Sequence, residues 1–279
     1  MKLHVIDTGF FKLDGGAMFG VVPKTLWQRT NPADENNLCT WAMRCLLIED
    51  GNRLILVDNG IGDKQDAKFF SHYYLSGDAS LLSSIKNAGF APEDVTDVFL
   101  THLHFDHCGG GVKYNQSGGL ELVFKNAQYW TNQDHWQWAT VPNAREKASF
   151  LNENIMPMQE SGHLKFVDPK EKSPFEQFDI LYMDGHTDKM MLPVIEYKNR
   201  KVVFMADLLP SVGHLPLPYV MGYDTRPLLT LTEKDAFLKK AAAENYVLFF
   251  EHDSVNECCT VMETEKGVRL DKPFKLAEL

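Results

Sequence analysis

Apolar residues in the first half of the chain occur in short runs that are separated by turn signals. Residues 46–48 and 54–57 flank an Asp-Gly pair, which predicts a β-hairpin. Residues 79–89 carry apolar side chains at helical spacing and end at a glycine, so a helix is predicted there. Residues 95–100 have the composition of a strand, and this strand leads directly into a histidine-rich segment.

The pattern changes in the middle of the chain. Residues 126–154 favour a helical region rich in tryptophan, and these tryptophans are typical of core packing, with the wall of a pocket as the alternative. Short strands then return. Residues 180–183 form one strand, and residues 191–197 and 201–205 form a hairpin that is expected to turn at residues 199–200.

The last third of the chain repeats the alternation of strand and helix. Thr232 is expected to cap a helix that runs to Asn245, and residues 247–250 form the next buried strand. Strands followed by helices, twice over, predict two similar halves packed sheet to sheet with helices outside. No low-complexity linker divides the sequence, so residues 1–279 are expected to form a single domain.

Charge and cysteine content narrow the classes of partner and compartment. The chain has 28 Lys and Arg against 38 Asp and Glu, a net charge of −10, which argues against nucleic acid or an anionic membrane as partner. Charges interrupt every apolar run, so no transmembrane segment is expected. The chain reaches an acidic residue before any signal-peptide core, and its five cysteines form no C-x-x-C pair. Together these features predict a cytoplasmic protein with reduced thiols.

A concentration of metal-ligand residue types occurs in residues 101–111, which read Thr-His-Leu-His-Phe-Asp-His-Cys-Gly-Gly-Gly. Imidazole nitrogen and carboxylate oxygen are ligands that Zn²⁺ accepts. In an extended stretch His102 and His104 point the same way, and the following turn brings Asp106 and His107 to a second position. The glycines are expected to let the backbone pass close to the ions.

Three further candidate ligands, His186, Asp207 and His252, each follow an apolar strand. Strand ends provide the rigid support that a metal centre needs. His214 lies in a loop and is a weaker candidate for contacting substrate. The remaining histidines lack this context and are expected to be surface or packing residues: His4, His72, His135 and His163.

The H-x-H-x-D-H motif and the His, Asp and His that follow it in order make the sequence resemble the metallo-β-lactamase superfamily over essentially its whole length. The sequence is most similar to the lactonase and methyl-parathion-hydrolase-like branch. The resemblance implies an α+β fold, a four-layer αββα sandwich of two mixed β-sheets, with a dinuclear metal centre along one edge.

The resemblance also assigns the ligands. In the family pattern seven residues share two ions: His102, His104 and His186 at the first, Asp106, His107 and His252 at the second, and Asp207 at both. Asp58 matches an acidic residue that orients a ligand imidazole, with a turn cap as the alternative. The implied cofactors are two divalent ions, with zinc expected first and manganese or iron as alternatives.

The implied activity is hydrolysis. A hydroxide that bridges two ions would attack an ester, lactone or phosphotriester, and Asp106 would carry a proton to the leaving group. Lactonases of this family place a carbonyl-polarising tyrosine after the bridging aspartate. The nearest tyrosines here are Tyr219 and Tyr223, and Tyr223 is the catalytic candidate. The substrate is expected to be a small molecule with an apolar portion, and a homodimer is possible.

Several alternatives stay open. An iron-dependent oxidoreductase similar to persulfide dioxygenases would use two histidines and one aspartate, fewer ligands than this chain offers. A thioester hydrolase similar to glyoxalase II and a binding protein with structural metal ions are the others. Apolar residues near the amino terminus fit either the wall of the pocket mouth or dimer-contact and core positions: Phe10, Phe11, Met18, Phe19 and Trp27. Lys189 occupies a position where many relatives have glycine, so strain is expected if that turn needs a positive φ.

Overall fold

The computed structural model describes all 279 residues, and the chain forms two compact units. The first unit comprises residues 1–9, 43–72 and 76–177, and the second comprises residues 10–42, 73–75 and 178–279. No helix of the structure has the length and apolar character needed to cross a membrane.

Most of the first unit is a sheet with a small hairpin and short helices. Its strands are β1 (Lys2–Asp14), β2 (Leu38–Asp50), β3 (Arg53–Val57), β4 (Asp97–Phe99), β5 (Val112–Tyr114), β6 (Leu120–Leu122), β7 (Gln128–Asn132) and β8 (Leu164–Val167), and the unit boundary falls within β1 and β2. The six-stranded sheet has the order β1-β2-β3-β4-β7-β8, and β5 pairs with β6. Strands β3, β4, β7 and β8 run parallel to one another, whereas β2 and β3 are antiparallel, so β3, β4 and β7 end at one edge.

The second sheet has the order β14-β13-β12-β11-β10-β9. Its strands are β9 (Phe178–Met183), β10 (Met190–Tyr197), β11 (Arg200–Phe204), β12 (Val247–Phe249), β13 (Cys258–Thr264) and β14 (Gly267–Phe274). Only β11 and β12 pair in parallel, and β9 and β11 are both antiparallel to β10. Strands β9, β11 and β12 therefore end at the same edge. Both sheets are mixed, as expected.

Eight α-helices accompany the sheets: α1 (Gly15–Phe19), α2 (Lys24–Trp27), α3 (Ala67–Phe70), α4 (Leu81–Asn87), α5 (Phe105–Cys108), α6 (Gln133–Thr140), α7 (Asn152–Glu160) and α8 (Pro227–Ala243). Short 3₁₀ turns occur at Pro92–Asp94, Gly109–Gly111, Val212–His214 and Leu276–Glu278. The predicted helix α4 is confirmed. Ser80 caps its start by accepting from the Ser83 N–H, and Gly89 follows its end with a φ of +94°.

The central strands of both sheets are apolar and fully buried, as for Leu56 and Val98 in the first unit and Val203 and Leu248 in the second. Close packing of such residues gives strands that move little. The strand ends are therefore rigid platforms for the side chains that follow them.

The helical prediction for residues 126–154 is wrong in part. Gln128–Asn132 is strand β7, and helix α6 ends after eight residues, just before Pro142. Tyr129, Trp130 and Thr131 are aromatic and β-branched residues that suit a pleated surface, and parallel pairing with β4 outweighs their weak helical tendency.

Two boundaries in the second unit also differ from expectation. Helix α8 begins at Pro227, whose ring suits the first helical turn, and ends at Ala243. Thr232 is inside the helix, where its hydroxyl donates to the Leu228 carbonyl, and does not cap it. The β10–β11 hairpin turns one residue earlier than predicted, at residues 198–199, and both have positive φ as a type I′ turn requires.

Candidate metal centre

The first set of candidate metal ligands (the first ligand set) comprises His102, His104, Asp106 and His107 and follows strand β4. The strand direction continues as far as Leu100, whose N–H donates to the Trp130 carbonyl. His104 is the N-cap of the short helix α5, which contains Asp106 and His107. All four ligand side chains are buried, so the sequence motif is folded inward.

Asp58, at the end of β3, organises this segment. Its carboxylate accepts hydrogen bonds from the Thr101 N–H at 2.7 Å and from the Thr101 hydroxyl at 2.6 Å. The same carboxylate lies 3.0 Å from His107 Nδ1. Asp58 has a φ of 56°, an unfavourable backbone conformation that is common at functional sites. The expectation that Asp58 orients a ligand imidazole agrees with this geometry.

Proton positions in the first ligand set follow from the hydrogen-bond partners. A carboxylate only accepts, so His107 carries its proton on Nδ1 and turns a bare Nε2 towards Asp106 Oδ2, 3.8 Å away. The Thr101 hydroxyl has one proton, which it donates to Asp58, so it can only accept from His102 Nδ1, 3.1 Å away. His102 therefore carries its proton on Nδ1, and its Nε2 is also bare, that is, unprotonated.

The Nε2 atom of His102 lies 3.0 Å from His104 Nδ1, while His104 Nε2 faces the Glu146 carboxylate. Because Nε2 of His104 donates to a carboxylate, its Nδ1 is bare as well. Two lone pairs at this distance repel each other unless a cation or a proton lies between them. The pair therefore has the donor arrangement of a metal site.

The glycine run packs closely against another segment of the backbone. A Cβ on Gly109 would lie 2.1 Å from the Ile61 carbonyl oxygen, and a Cβ on Gly110 would lie 2.1 Å from that of Asn59. The glycines thus allow close packing against the segment after β3. The expectation that they also let the backbone pass close to the ions stays a prediction.

The second ligand set, His186, Asp207 and His252, comes from the shared edge of the second sheet. The three residues follow β9, β11 and β12, and all are buried. Asp207 lies between the two imidazoles, with Oδ2 3.0 Å from His186 Nε2 and Oδ1 3.1 Å from His252 Nε2. The structure therefore brings these three residues together.

The outer nitrogens of both imidazoles are held in place. His252 Nδ1 donates to the Ala42 carbonyl at 2.8 Å, and His186 Nδ1 lies 2.8 Å from Asp224 Oδ1. Both Nε2 atoms are thus directed at the Asp207 carboxylate. Burial lowers the pKa of His186, but Asp207 and Asp224 outweigh burial and raise that pKa to about 10. The position strongly favours positive charge.

These observations test whether the residues fit divalent ions. Each ligand set directs one nitrogen of each imidazole at a carboxylate or at another imidazole nitrogen, and each imidazole has a partner on its other nitrogen. The donors are nitrogen and oxygen atoms without cysteine, which suits zinc, manganese or iron. The residues fit the expected cofactor.

The loop that carries His186 is fixed by groups from α8 and its start. The Glu233 carboxylate accepts from the N–H groups of Asp184 and Gly185, and the Arg226 guanidinium donates to the Asp184 carbonyl. Lys189 has a φ of 52°, so the predicted strain is confirmed. Its N–H and ammonium both donate to the Asp184 carboxylate, which compensates for the unfavourable turn.

The candidate substrate residues lie in the second unit. Tyr223 is 40% exposed and directly precedes Asp224, the partner of His186, whereas the Tyr219 ring packs edge-on against Phe19. His214 is buried: its Nε2 donates to the Met18 carbonyl and its Nδ1 lies 2.9 Å from the Ser211 hydroxyl. The idea that His214 contacts substrate is wrong, because both of its nitrogens are occupied.

Other side chains near the amino terminus belong to the core. Phe11, Met18, Phe19 and Trp27 are all at most 2% exposed, so the structure favours core packing over a pocket wall or a dimer contact.

Several residues that support the ligand sets were not identified from the sequence: Asp224, Glu146, Glu233 and His135. His135 accepts a hydrogen bond from the Leu103 N–H, between the first two ligands. Of the two expectations for this histidine, surface or packing, the structure rules out the surface, because His135 is completely buried. No local motif marks these residues, because each acts on a segment that is distant in sequence.

Comparison with known proteins gives one consistent relationship. The sequence model of the metallo-beta-lactamase superfamily matches residues 44–252. An N-acyl homoserine lactonase of Bacillus cereus is 24% identical, and the N-acyl homoserine lactonase AiiA of Bacillus thuringiensis subsp. kurstaki is 22% identical. Both alignments cover 96% of this chain and 96% of the relative.

Solved structures show the same fold. A probable metal-dependent hydrolase from Staphylococcus aureus is 28% identical and superimposes with a TM-score of 0.87 over 98% of this chain and 96% of its own. AidC, described as a dizinc quorum-quenching lactonase, is 24% identical with a TM-score of 0.77 over 99% of this chain and 97% of its own. The α+β fold with two mixed sheets is the one that the motif implies. The chain belongs to the metallo-beta-lactamase superfamily.

Proposed function

We propose that this metal-dependent hydrolase opens the ring of lactones that carry an apolar acyl chain. The observation that carries the proposal is the convergence of imidazole nitrogens on one another and on the Asp207 carboxylate, because divalent cations bind to such groups of nitrogen and oxygen donors. The class of reaction rests on superfamily membership, and the class of substrate rests on the lactonase relatives.

The two ligand sets together would hold two ions. We assign His102, His104 and His186 to the first ion, Asp106, His107 and His252 to the second, and Asp207 to both. Zinc is the proposed metal, as in the dizinc neighbour, with manganese and iron as alternatives. When bound, two such ions polarise a carbonyl and lower the pKa of water towards neutrality.

The chain's own groups would complete the reaction. Asp106 is a buried carboxylate at the start of α5, and we assign it the task of carrying a proton to the leaving alkoxide. The Tyr223 hydroxyl is assigned to hydrogen-bond the substrate carbonyl. Its half-exposed position beside Asp224 leaves the phenol accessible to a small molecule.

The substrate class follows from the named activities of the relatives, which act on N-acyl homoserine lactones. We propose the same class here, without a defined chain length. A cytoplasmic location is also proposed, since the five cysteines are buried and none forms a disulfide.

A substrate panel tests the function. The protein is stripped with chelator, reloaded with Zn²⁺, Mn²⁺ or Fe²⁺, and assayed on N-acyl homoserine lactones of several chain lengths and on simple γ- and δ-lactones. Aryl esters, phosphotriesters, S-lactoylglutathione and glutathione persulfide complete the panel. We expect metal-dependent turnover that is highest on the acylated lactones. Turnover confined to the persulfide would overturn the hydrolase assignment, and preference for an ester or phosphotriester would overturn the lactone.

A further inference from the structure

Glu146 is a buried carboxylate that lies outside the metal-binding motif. It is on the segment between α6 and α7 and is 3% exposed. A buried carboxylate is costly unless its oxygens accept hydrogen bonds, so its partners indicate why it is there.

Both oxygens of Glu146 have defined partners. Oε2 accepts from the Trp138 indole N–H at 2.7 Å and from the Asn143 amide at 2.6 Å. Oε1 lies 3.4 Å from His104 Nε2, a long hydrogen bond. The two donors on Oε2 fix the carboxylate plane and direct Oε1 at His104.

The surrounding segment is held against the same histidine. The Asn143 side chain accepts from the N–H groups of Arg145 and Glu146 and so shapes the turn that carries the carboxylate. The Phe105 N–H, next to His104, donates to the Ser149 carbonyl, and the Phe150 ring centre is 4.8 Å from the His104 ring centre.

We propose that Glu146 is the positioning residue for His104: it keeps the proton of His104 on Nε2, so that Nδ1 is the nitrogen that binds metal. This inference rests on the proposed function, in which His104 is a ligand of the first ion. Partners of this kind commonly raise metal affinity 10- to 100-fold.

His104 needs such a partner more than the other imidazoles do. His102, His107, His186 and His252 all have their Nδ1 held and present Nε2. His104 alone has the opposite arrangement, with Nδ1 3.0 Å from the bare nitrogen of His102. A shift of its proton to Nδ1 would remove the ligand atom from the first ion.

Glu146→Gln is the decisive variant, because it keeps the shape of the side chain. If the amide oxygen stays on His104, the amide nitrogen meets two N–H donors, from Trp138 and Asn143. If the amide flips, its N–H meets the Nε2–H of His104. The flipped orientation keeps an acceptor for Trp138 and Asn143, so we expect it to prevail and to move the His104 proton from Nε2 to Nδ1.

Metal affinity is measured by competition with a chromophoric chelator for Zn²⁺, and the first and second ions are resolved by the visible spectra of a Co²⁺ titration. We expect Glu146→Gln to bind one of the two ions about 10- to 100-fold more weakly. Trp138→Phe, which removes one donor to Oε2, should shift the same binding step by a smaller factor. Glu160→Gln, at an exposed carboxylate of α7, is the matched control and should bind as wild type does.

Thermal unfolding of the metal-free proteins separates a positioning role from a structural one. Weaker binding of one ion with an unchanged unfolding temperature of the metal-free form supports the proposal. A lower unfolding temperature with wild-type affinity for both ions overturns it, as does Glu146→Gln behaving in all respects like the control. If wild type itself binds neither ion, the proposed function fails, and that result is distinct from a failure of the Glu146 assignment.

Discussion

The two ligand sets are built in different ways. The first comes from one contiguous segment after β4, and its four residues are close because they are close in sequence. The second comes from the ends of β9, β11 and β12, and its three residues meet because those strands end at one sheet edge. A local turn determines the first set, whereas the topology of a whole sheet determines the second.

The supporting contacts differ in the same way. Asp58 reaches the first set through the backbone and hydroxyl of Thr101 as well as through His107. In the second set, Asp224 and the Ala42 carbonyl each hold one imidazole. Removal of Asp58 should therefore damage folding and metal binding together, whereas a change in the second set should affect metal binding more selectively.

The largest effect is expected from Asp207→Asn. The amide loses the negative charge that faces both His186 and His252, so both ions should bind poorly. Because two such ions would supply several kcal/mol of transition-state stabilisation, kcat/KM for the proposed lactone hydrolysis should fall about 1,000-fold. Metal content by mass spectrometry and kcat/KM are the measurements. Asp235→Asn, an exposed carboxylate of α8, is the control, and equal metal content in the two variants would contradict the role of Asp207.

The supporting carboxylates give the next largest effect and test the comparison directly. Asp58→Asn and Asp224→Asn should each weaken metal binding about 10- to 100-fold. Asp58→Asn should also lower the free energy of unfolding of the metal-free protein by about 1–3 kcal/mol, because buried donors of Thr101 lose a charged acceptor. Chelator competition and urea unfolding measure the two quantities. An equal loss of stability in both variants would contradict the idea that Asp58 supports folding more than Asp224 does.

The long-range contacts of the second unit also predict a pH dependence. Burial lowers the pKa of His214 from 6.5 to about 3. Between these pH values the unfolded chain binds a proton that the folded chain does not, so this histidine lowers the free energy of unfolding as the pH falls. Relative to pH 8, the free energy of unfolding at pH 5 is lower by about 2 kcal/mol because of this histidine.

The His214→Gln variant lacks the titrating imidazole and therefore lacks this pH-dependent loss of stability. Denaturant unfolding should show the variant less stable than wild type at pH 8, with the difference smaller by about 2 kcal/mol at pH 5. A difference that stays constant with pH would show that His214 is protonated equally in both states.

The smallest effect is expected at Tyr223, the one residue of the second unit that we propose to contact the substrate without binding metal. Tyr223→Phe should lower lactone kcat/KM about tenfold, the loss of one hydrogen bond to the carbonyl, with metal content unchanged. Tyr219→Phe is the matched control, because the Tyr219 ring packs against Phe19. If both variants retain wild-type kinetics, Tyr223 has no role in the reaction.

The difference between the ligand sets also explains what the sequence could predict. The His102–His107 motif carries its own geometry, and the apolar strands before His186, Asp207 and His252 place these residues at strand ends. Segments whose structure depends on partners distant in sequence are harder to predict. Strand β7 was predicted as helix because its pairing with β4 is not visible locally. Glu146 and Asp224 carry no signal, since a lone acidic residue has the same local sequence wherever its side chain points.

The five buried thiols have a practical consequence. Burial raises the pKa of Cys39 to about 11 and that of Cys108 to about 12, so neither forms the reactive thiolate near neutral pH. An engineered cysteine at an exposed position, such as Val255 just after His252, could then be labelled selectively with a fluorophore in the folded protein. Such a dye would report on the segment that follows His252 without removal of any native cysteine.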